Sequence, residues 1–290
     1  MDLWVTLEDK LRKSISKVGL EHISDLIVAI AKPAILIELL ESDDSKIPIG
    51  ESKIGGNPDL PLDYKYPYWK NRPLGFIGQI NLAEASKFDI ENLLPKEGVL
   101  SFFYDLHEMP WGYDPKNLGF SRVEYFSPTV QLTRRKIADD ISLECSSIIF
   151  SPSLTVPSTC SQDYEVLQNQ HKFTDDEEER YWNLQEELQI TYSQTGSRAP
   201  HRLLGYSANV QDDMQIEAEL VTNGLYCGDP SGYNDPKAET LKPLAKEWQL
   251  LLQLDSYYLG NYSGYMYYWI RRSDLINSRF ENHWMTMQCD

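Results

Sequence analysis

Three short segments recur in the same order in the two halves of this 290-residue chain, and they constrain its fold more than any other feature. The matching pairs are residues 53–56 with 202–205, 76–81 with 250–255, and 98–104 with 264–270. In the second pair a glutamine, Gln79 or Gln253, is followed two positions later by Asn81 or Asp255. The spacing between segments differs, as expected when loops diverge and strands persist. The repeat predicts two related β-rich halves with a cleft at their junction, a common place for a ligand.

Hydrophobic periodicity predicts an α+β fold whose strands begin at about residue 34. Apolar residues at helical spacing predict an amphipathic helix over 2–19 and a second helix over 21–31, which Pro33 ends. Apolar runs bounded by turn residues predict strands at 34–40, 76–82, 99–105, 123–126, 129–132, 148–150, 248–255 and 264–270. We expect an internally duplicated β-rich core with a mixed or antiparallel sheet, N-terminal helices and a few inserted helices.

The inserted helices are predicted in the second half of the chain. Thr174, followed by Glu177, has the pattern of a capping box that opens a helix through Tyr181 and Leu188. Further helices are predicted at 212–221, at 238–246 and at 274–280, the last of which closes the chain. The acidic first turn of the capped helix fits a solvated helix start, which the helix dipole favours, or a site for a metal or a basic partner.

These elements divide the chain into three parts. Residues 1–33 are helices that pack on the core, residues 34–172 form the first β-rich half, and residues 173–290 form the second. The halves make either one compact domain or two fused similar units. A globular chain of this length buries enough surface to need neither a disulfide nor a metal for its core.

The strongest compositional fact is a formal net charge of −17 at pH 7. Nucleic-acid backbones and anionic membrane surfaces are bound by clustered Lys and Arg, so this charge argues against both partners. An acidic surface steers a basic protein partner toward the chain, although the same charge also serves solubility. We therefore expect a basic protein, if any macromolecule, as the partner; the sequence does not indicate an oligomeric state.

Cysteine spacing and hydropathy favour the cytoplasm. The four cysteines, Cys145, Cys160, Cys227 and Cys289, have neither the paired spacing of a disulfide framework nor that of a zinc site. The start of the chain lacks the basic and apolar regions of a signal peptide. The longest apolar stretch, near residues 26–40, is interrupted by Lys32, Pro33 and Glu38, which argues against a membrane span.

Familiar catalytic and cofactor motifs are absent from the sequence. Residues 50–56 approach a nucleophile elbow and a phosphate-binding loop but satisfy neither spacing. The five histidines are isolated along the chain, and the oxygen-rich residues 229–235 lack the ligand spacing of a calcium loop. We therefore predict no metal, no cofactor and no identifiable catalytic residue.

The repeated segments also carry a family resemblance. Residues 52–61, 76–82 and 98–105, followed by 203–206, 248–255 and 264–267, resemble the YwqG-like bacterial family. The similarity extends from about residue 35 onward. It implies an α+β fold and, through some relatives, a toxin–immunity setting. The function of that family is unknown, so the resemblance supplies no catalytic residue.

The candidate groove follows from the two glutamines. Gln79 and Gln253 lie inside apolar strands, where a buried amide must find partners, and strand periodicity places Asn81 and Asp255 on the same faces. With the turn residues Gly55, Gly56 and Asp59 they form the predicted groove. The alternative is that each amide only fixes a neighbouring loop.

Three functional hypotheses remain open at this point. The first is a non-enzymatic cytoplasmic interaction protein, and the second is an enzyme of unrecognised type that works in a cleft between the halves. The third is a small-molecule or carbohydrate binder that uses the Tyr-rich segments at residues 64–69 and 257–269. Core packing is the competing use of those tyrosines.

Overall fold

The computed structural model describes residues 3–196, 198, 200–256 and 264–289, which contain both helices and strands. The α-helices are α1 (Leu3–Lys17), α2 (Ser24–Ile30), α3 (Leu82–Ala85), α4 (Gln162–His171), α5 (Asp175–Thr191), α6 (Met214–Thr222), α7 (Ala238–Leu241) and α8 (Arg272–Ile276). The long strands are β1 (Lys32–Glu41), β6 (Gly75–Asn81), β7 (Val99–Tyr104), β8 (Ser121–Phe126), β10 (Ser146–Thr155), β12 (Trp248–Asp255), β13 (Gly264–Arg271) and β14 (Trp284–Cys289). The short strands are β2 (Lys53–Ile54), β3 (Asp59–Pro61), β4 (Tyr68–Trp69), β5 (Arg72–Pro73), β9 (Leu132–Arg134) and β11 (His201–Leu203).

One large sheet of ten described strands organises the fold, with the order β14-β13-β12-β11-β1-β10-β2-β6-β7-β8. All of its neighbouring strands run antiparallel. The long β1–β10 pair lies at the centre, and four strands extend from each side of it. The expected α+β class is therefore confirmed, and the sheet is antiparallel.

The two wings of the sheet correspond strand by strand. Lys53 on β2 pairs with Gln79 on β6, and Arg202 on β11 pairs with Gln253 on β12. The next strand pair outward is β6–β7 in one wing and β12–β13 in the other. The register of the first pair shifts between Phe76 and Gly78, and that of the second between Leu250 and Leu252. These irregularities fall at equivalent places, because each lies just before the glutamine.

Two apolar cores cover the opposite faces of the sheet. The larger contains Ile35 and Ile37 of β1 together with most apolar residues of both wings. The smaller contains Leu36 of β1, Leu154 of β10 and the apolar faces of α1, α2, α4 and α5. Because successive strand residues point to opposite faces, alternating positions of β1 feed the two cores.

The predicted elements are largely confirmed, with differences near the turns. Pro33 lies within β1 rather than before it, at a position that pairs with β10 but not with β11; a strand tolerates proline where no ladder hydrogen bond is lost. The prediction of a strand at 129–132 is wrong, since the short strand β9 begins only at Leu132. Helix α4 was not predicted, and β14 rather than the 274–280 helix closes the described chain.

Candidate functional site

A buried lysine lies at the centre of the first wing's polar network. The side chain of Lys53 is fully buried, and its Nζ donates to Asp44 Oδ1 at 2.6 Å and to the Asn57 carbonyl at 2.5 Å. Asp59 Oδ1 lies 4.0 Å away. Although burial opposes it, the hydrogen bonds from Lys53 and Asn57 hold the pKa of Asp44 below its usual value. The buried ammonium is therefore compensated by carboxylates of this chain.

Gln79 ties the loop that carries these carboxylates to the sheet. Its Nε2 donates to the Glu51 carbonyl at 2.8 Å and to Asp59 Oδ2 at 2.8 Å. Its Oε1 accepts from the Asp59 backbone N–H at 3.0 Å. The amide is fully buried and fully used, so it fixes the loop between residues 51 and 59.

The loop requires two glycines at its turn. Gly55 and Gly56 have φ values of +67° and +70°, a region that side chains disfavour. A Cβ on Gly55 would also lie 2.0 Å from the Glu144 carbonyl oxygen. The predicted groove residues Gly55 and Gly56 therefore have a conformational reason to be glycine.

Arg202 takes the place of the lysine in the second wing. Its side chain is 7% exposed, and its Nη1 donates to the Tyr206 carbonyl at 3.2 Å. Gln253 donates to the Pro200 carbonyl at 2.7 Å, and its Oε1 accepts from the Ala208 N–H at 2.9 Å. Each of these contacts falls at the same sequence offset from the cation as its counterpart around Lys53.

The residues beside the cations also correspond. Ser52 Oγ accepts from the Asn81 N–H at 2.8 Å, and His201 Nδ1 accepts from the Asp255 N–H at 3.0 Å. Burial and the charge of Arg202 lower the pKa of His201 to about 3. His201 is therefore neutral at pH 7, with its Nδ1 acting as an acceptor.

The electrostatic balance separates the two wings. Ala208 stands where the first wing has Asp59, so the second cation lacks the equivalent carboxylate. Among the described residues Arg202 forms no ion pair, and its Nε has no hydrogen-bond partner. Burial lowers the pKa of Arg202, but a guanidinium stays protonated at neutral pH. The second wing thus holds a buried positive charge that Glu186 attracts only from beyond ion-pair distance, among the residues that the structure describes.

Arg202 lines a pocket between the sheet and α5. The pocket has a cavity volume of about 30 Å³, and its wider empty space of about 430 Å³ includes the solvent at its open mouth. Ser153 of β10, Gln185 and Gln189 of α5, and Ser207 contribute polar groups to its wall, and Leu36 and Leu188 contribute apolar ones. One positive charge inside a mixed polar and apolar wall suits the anionic group of a small ligand.

The structure divides the predicted groove between the two wings. Gly55, Gly56, Asp59 and Gln79 converge near Lys53, and the Asn81 side chain accepts from the Ala83 N–H at the start of α3. Gln253 and Asp255 lie on β12, and four strands separate it from β6 in the sheet order. Sequence reasoning missed Lys53, Arg202 and Asp44, although the cations head the first repeated segment.

Two carboxyl groups of the described residues have a pKa raised to about 7, and they bear on the enzyme hypothesis. The carboxyl of Glu84 and burial raise the pKa of Glu51 to about 7. Burial raises the pKa of Glu217 to about 7, although Tyr233 opposes the shift. Neither residue lines the pocket beside Arg202. Among the described residues, therefore, no carboxyl group with a raised pKa lines the pocket beside the buried cation.

The tyrosine-rich segments separate into two groups. In the first, Tyr64 packs edge-on against Phe126, and Tyr66 packs edge-on against Phe103. These contacts attach the 64–69 segment to the larger core. Of the second group, Tyr257, Tyr258 and Tyr262 lie outside the described residues.

None of the helices in the described ranges is both long enough and apolar enough to cross a membrane.

Comparison with models of known protein families gives a match. Residues 52–289 match a family described as a domain of unknown function, DUF1963. The matched region includes both wings of the sheet and both buried cations. No match was found among curated proteins.

Proposed function

This chain belongs to the DUF1963 family, and we propose that it is a non-enzymatic binding protein whose second wing takes a small carboxylate-bearing ligand on Arg202. The observation that carries this proposal is a buried guanidinium at the wall of a pocket, for which no carboxylate of the described residues lies within ion-pair distance. The first wing supports it, because Asp44 and Asp59 surround the equivalent lysine.

Burial energetics favour an external anion. An ion removed from water costs several kcal/mol unless a partner compensates it. Tyr206 supplies only a neutral carbonyl to Nη1. A carboxylate can accept two parallel hydrogen bonds from one edge of a guanidinium, and the Nε–Nη2 edge of Arg202 is the one not occupied by Tyr206. The carboxylate of the ligand would therefore supply the negative charge that Asp44 and Asp59 supply in the first wing.

The correspondence of the wings also supports an internal duplication, which we include in the proposal. Matching strand order, matching irregularities and matching glutamine contacts are hard to obtain in unrelated halves. In this interpretation the ancestral unit held a buried cation against a glutamine-bound loop. The two copies then diverged at the equivalent positions Asp59 and Ala208. The narrower YwqG-like assignment and the cytoplasmic location remain predictions.

The test measures melting temperatures with pairs of carboxylates and neutral amides of the same shape. The probes are acetate, benzoate and succinate against acetamide, benzamide and succinamide, at low chloride concentration. We expect a carboxylate, but not its amide, to raise the melting temperature by a few degrees at millimolar concentration. The shift should disappear in Arg202→Met.

Arg122→Met is the matched control, since Arg122 is a partly exposed residue of β8 whose nearest carboxylate lies 3.9 Å away. It should retain the full response to carboxylates. Equal shifts from acids and amides, or an unchanged response in Arg202→Met, would contradict the proposal.

A further inference from the structure

Two histidines and a glutamate from three separate elements meet on the helical side of the molecule. His22 lies in the turn Glu21–Ile23, His171 is the last residue of α4, and Glu177 lies in the first turn of α5. Glu177 Oε1 is 2.7 Å from His22 Nε2 and 3.2 Å from His171 Nε2. The three ligand atoms lie within 4.8 Å of one another. Both imidazoles thus converge on a single carboxylate oxygen.

The capping box of α5 fixes the orientation of the carboxylate. Glu177 Oε2 accepts from the backbone N–H and the hydroxyl of Thr174, each at 2.9 Å. The other oxygen, Oε1, is thereby directed toward the histidines. Hydrogen bonds from Thr174, His171 and His22 lower the pKa of Glu177 to about 2, so it is a carboxylate at any ordinary pH.

The histidines are placed differently with respect to solvent. The side chain of His171 is 22% exposed and packs edge-on against Phe173, with ring centroids 4.9 Å apart. The side chain of His22 is 53% exposed. One ligand is therefore held by packing, and the other leaves a route by which an ion can enter.

We propose that His22, His171 and Glu177 bind one divalent transition-metal ion, of which Zn²⁺ fits best, with water completing the coordination. Imidazole nitrogen and carboxylate oxygen are common Zn²⁺ ligands, at about 2.0–2.2 Å from the metal. A tetrahedral ion with such bonds separates its ligand atoms by about 3.3 Å. The observed separations of 2.7 and 3.2 Å from the carboxylate oxygen require only a small outward movement.

The balance of protons is simple. Without a metal, a proton on Nε2 of an imidazole occupies the space between nitrogen and oxygen. Zn²⁺ takes that space, and each histidine that carried a proton on Nε2 loses it either to solvent or, by tautomerisation, to its own Nδ1. Apart from this proton transfer, only metal–ligand bonds form, and water leaves the ion as they do.

The ion would join distant parts of the chain. The turn that carries His22 follows α1, and the other two ligands belong to the α4–α5 pair, about 150 residues later. Because the ligands meet only in the folded protein, bound metal stabilises the fold by mass action. Its effect is to attach the N-terminal helices to α4 and α5.

Binding is measured on full-length protein that has been stripped with a chelator. Zn²⁺ is titrated in competition with a chromogenic chelator, and Co²⁺ absorption reports the ligand type. We expect one ion per chain with a micromolar dissociation constant and a melting temperature that rises by several degrees. Co²⁺ should show no thiolate charge-transfer absorption, because no cysteine takes part.

Three variants carry the test. His22→Ala and His171→Ala should each weaken Zn²⁺ binding by at least about tenfold, the loss typical of a removed ligand or its supporting partner. Glu177→Gln should weaken it as well while it keeps the capping box, since glutamine also serves at that position. His22 is exposed enough that its variant should fold, which circular dichroism verifies.

His107→Ala and Cys160→Ser are the controls, because both residues are exposed and lie outside the cluster. Both should bind Zn²⁺ like the unmodified protein. Absence of binding at millimolar Zn²⁺ would overturn the proposal and leave an ion-paired cluster. Undiminished binding in both histidine variants would overturn it too, as would thiolate absorption that is lost in Cys160→Ser.

Discussion

At the scale of single residues, two buried cations at equivalent positions have different electrostatic surroundings. Lys53 is fully buried, with Asp44 at 2.6 Å and Asp59 at 4.0 Å. Arg202 is buried as well, but among the described residues it donates only to the Tyr206 carbonyl, and its Nε has no hydrogen-bond partner. Removing the counter-charges of a buried cation would destabilise the fold, and a buried cation that has none nearby lowers the free energy of unfolding.

Methionine substitutions at the two positions should therefore have opposite effects on the free energy of unfolding without ligand. Arg202→Met removes an uncompensated charge and should stabilise the protein by about 1–3 kcal/mol. Lys53→Met removes the cation nearest to Asp44, while Arg134 stays 2.9 Å from Asp59, and should destabilise the protein by about 1.5–3 kcal/mol, the value of a hydrogen bond to a charged group. Urea unfolding of both variants at pH 7 measures the difference. Destabilisation by both substitutions would mean that Arg202 has a counter-charge.

At the scale of elements, the capping box at the start of α5 is where sequence and structure agree most directly. The sequence pattern from Thr174 to Glu177 predicts reciprocal hydrogen bonds, and both are present. The same glutamate oxygens also orient the histidine cluster. A local sequence signal that begins α5 thus also contributes to the contact of α5 with His22 and His171.

Thr174→Ala should lower the free energy of unfolding by about 1 kcal/mol, because the Glu177 N–H and one carboxylate oxygen each lose the threonine hydroxyl. Thr174→Ser keeps the hydroxyl and should restore most of the loss. Chemical denaturation of the three proteins measures both effects. An alanine variant as stable as the unmodified protein would show that the cap contributes nothing.

At the scale of the whole molecule, the charge of −17 is the property most relevant to partners. A basic protein partner in a toxin–immunity setting remains a prediction. Long-range attraction between opposite charges falls steeply as salt shortens the screening length. The acidic surface would then favour association at low salt rather than determine which partner binds.

Affinity capture of the tagged protein from its native lysate, at low and moderate salt, tests this prediction by mass spectrometry. We expect a stoichiometric basic partner whose recovery falls as salt rises. The Arg202→Met variant should retain the partner, because the substitution leaves every acidic side chain in place. Recovery of no basic protein at either salt concentration would contradict the prediction.

Local sequence patterns sufficed for most elements because their physical causes are local. Helical spacing gave α1, Pro and Gly punctuation bounded several strands, and a run of apolar residues predicted β7, all six residues of which are buried. The errors fall where tertiary pairing decides. Strand β9 exists only through its pairing with β3, and β2 and β11 are too short to leave a periodic signal.

The sequence by itself determined the helix periods, the strands and the repeated glutamines, because each is encoded within a few neighbouring residues. Tertiary structure decided which groups those glutamines hold and which buried cation receives carboxylates. It also brought His22 next to His171 and Glu177, although about 150 residues separate His22 from the other two along the chain. The physical reason is the same in each case: charge compensation and ligand geometry depend on distances that only the folded chain sets.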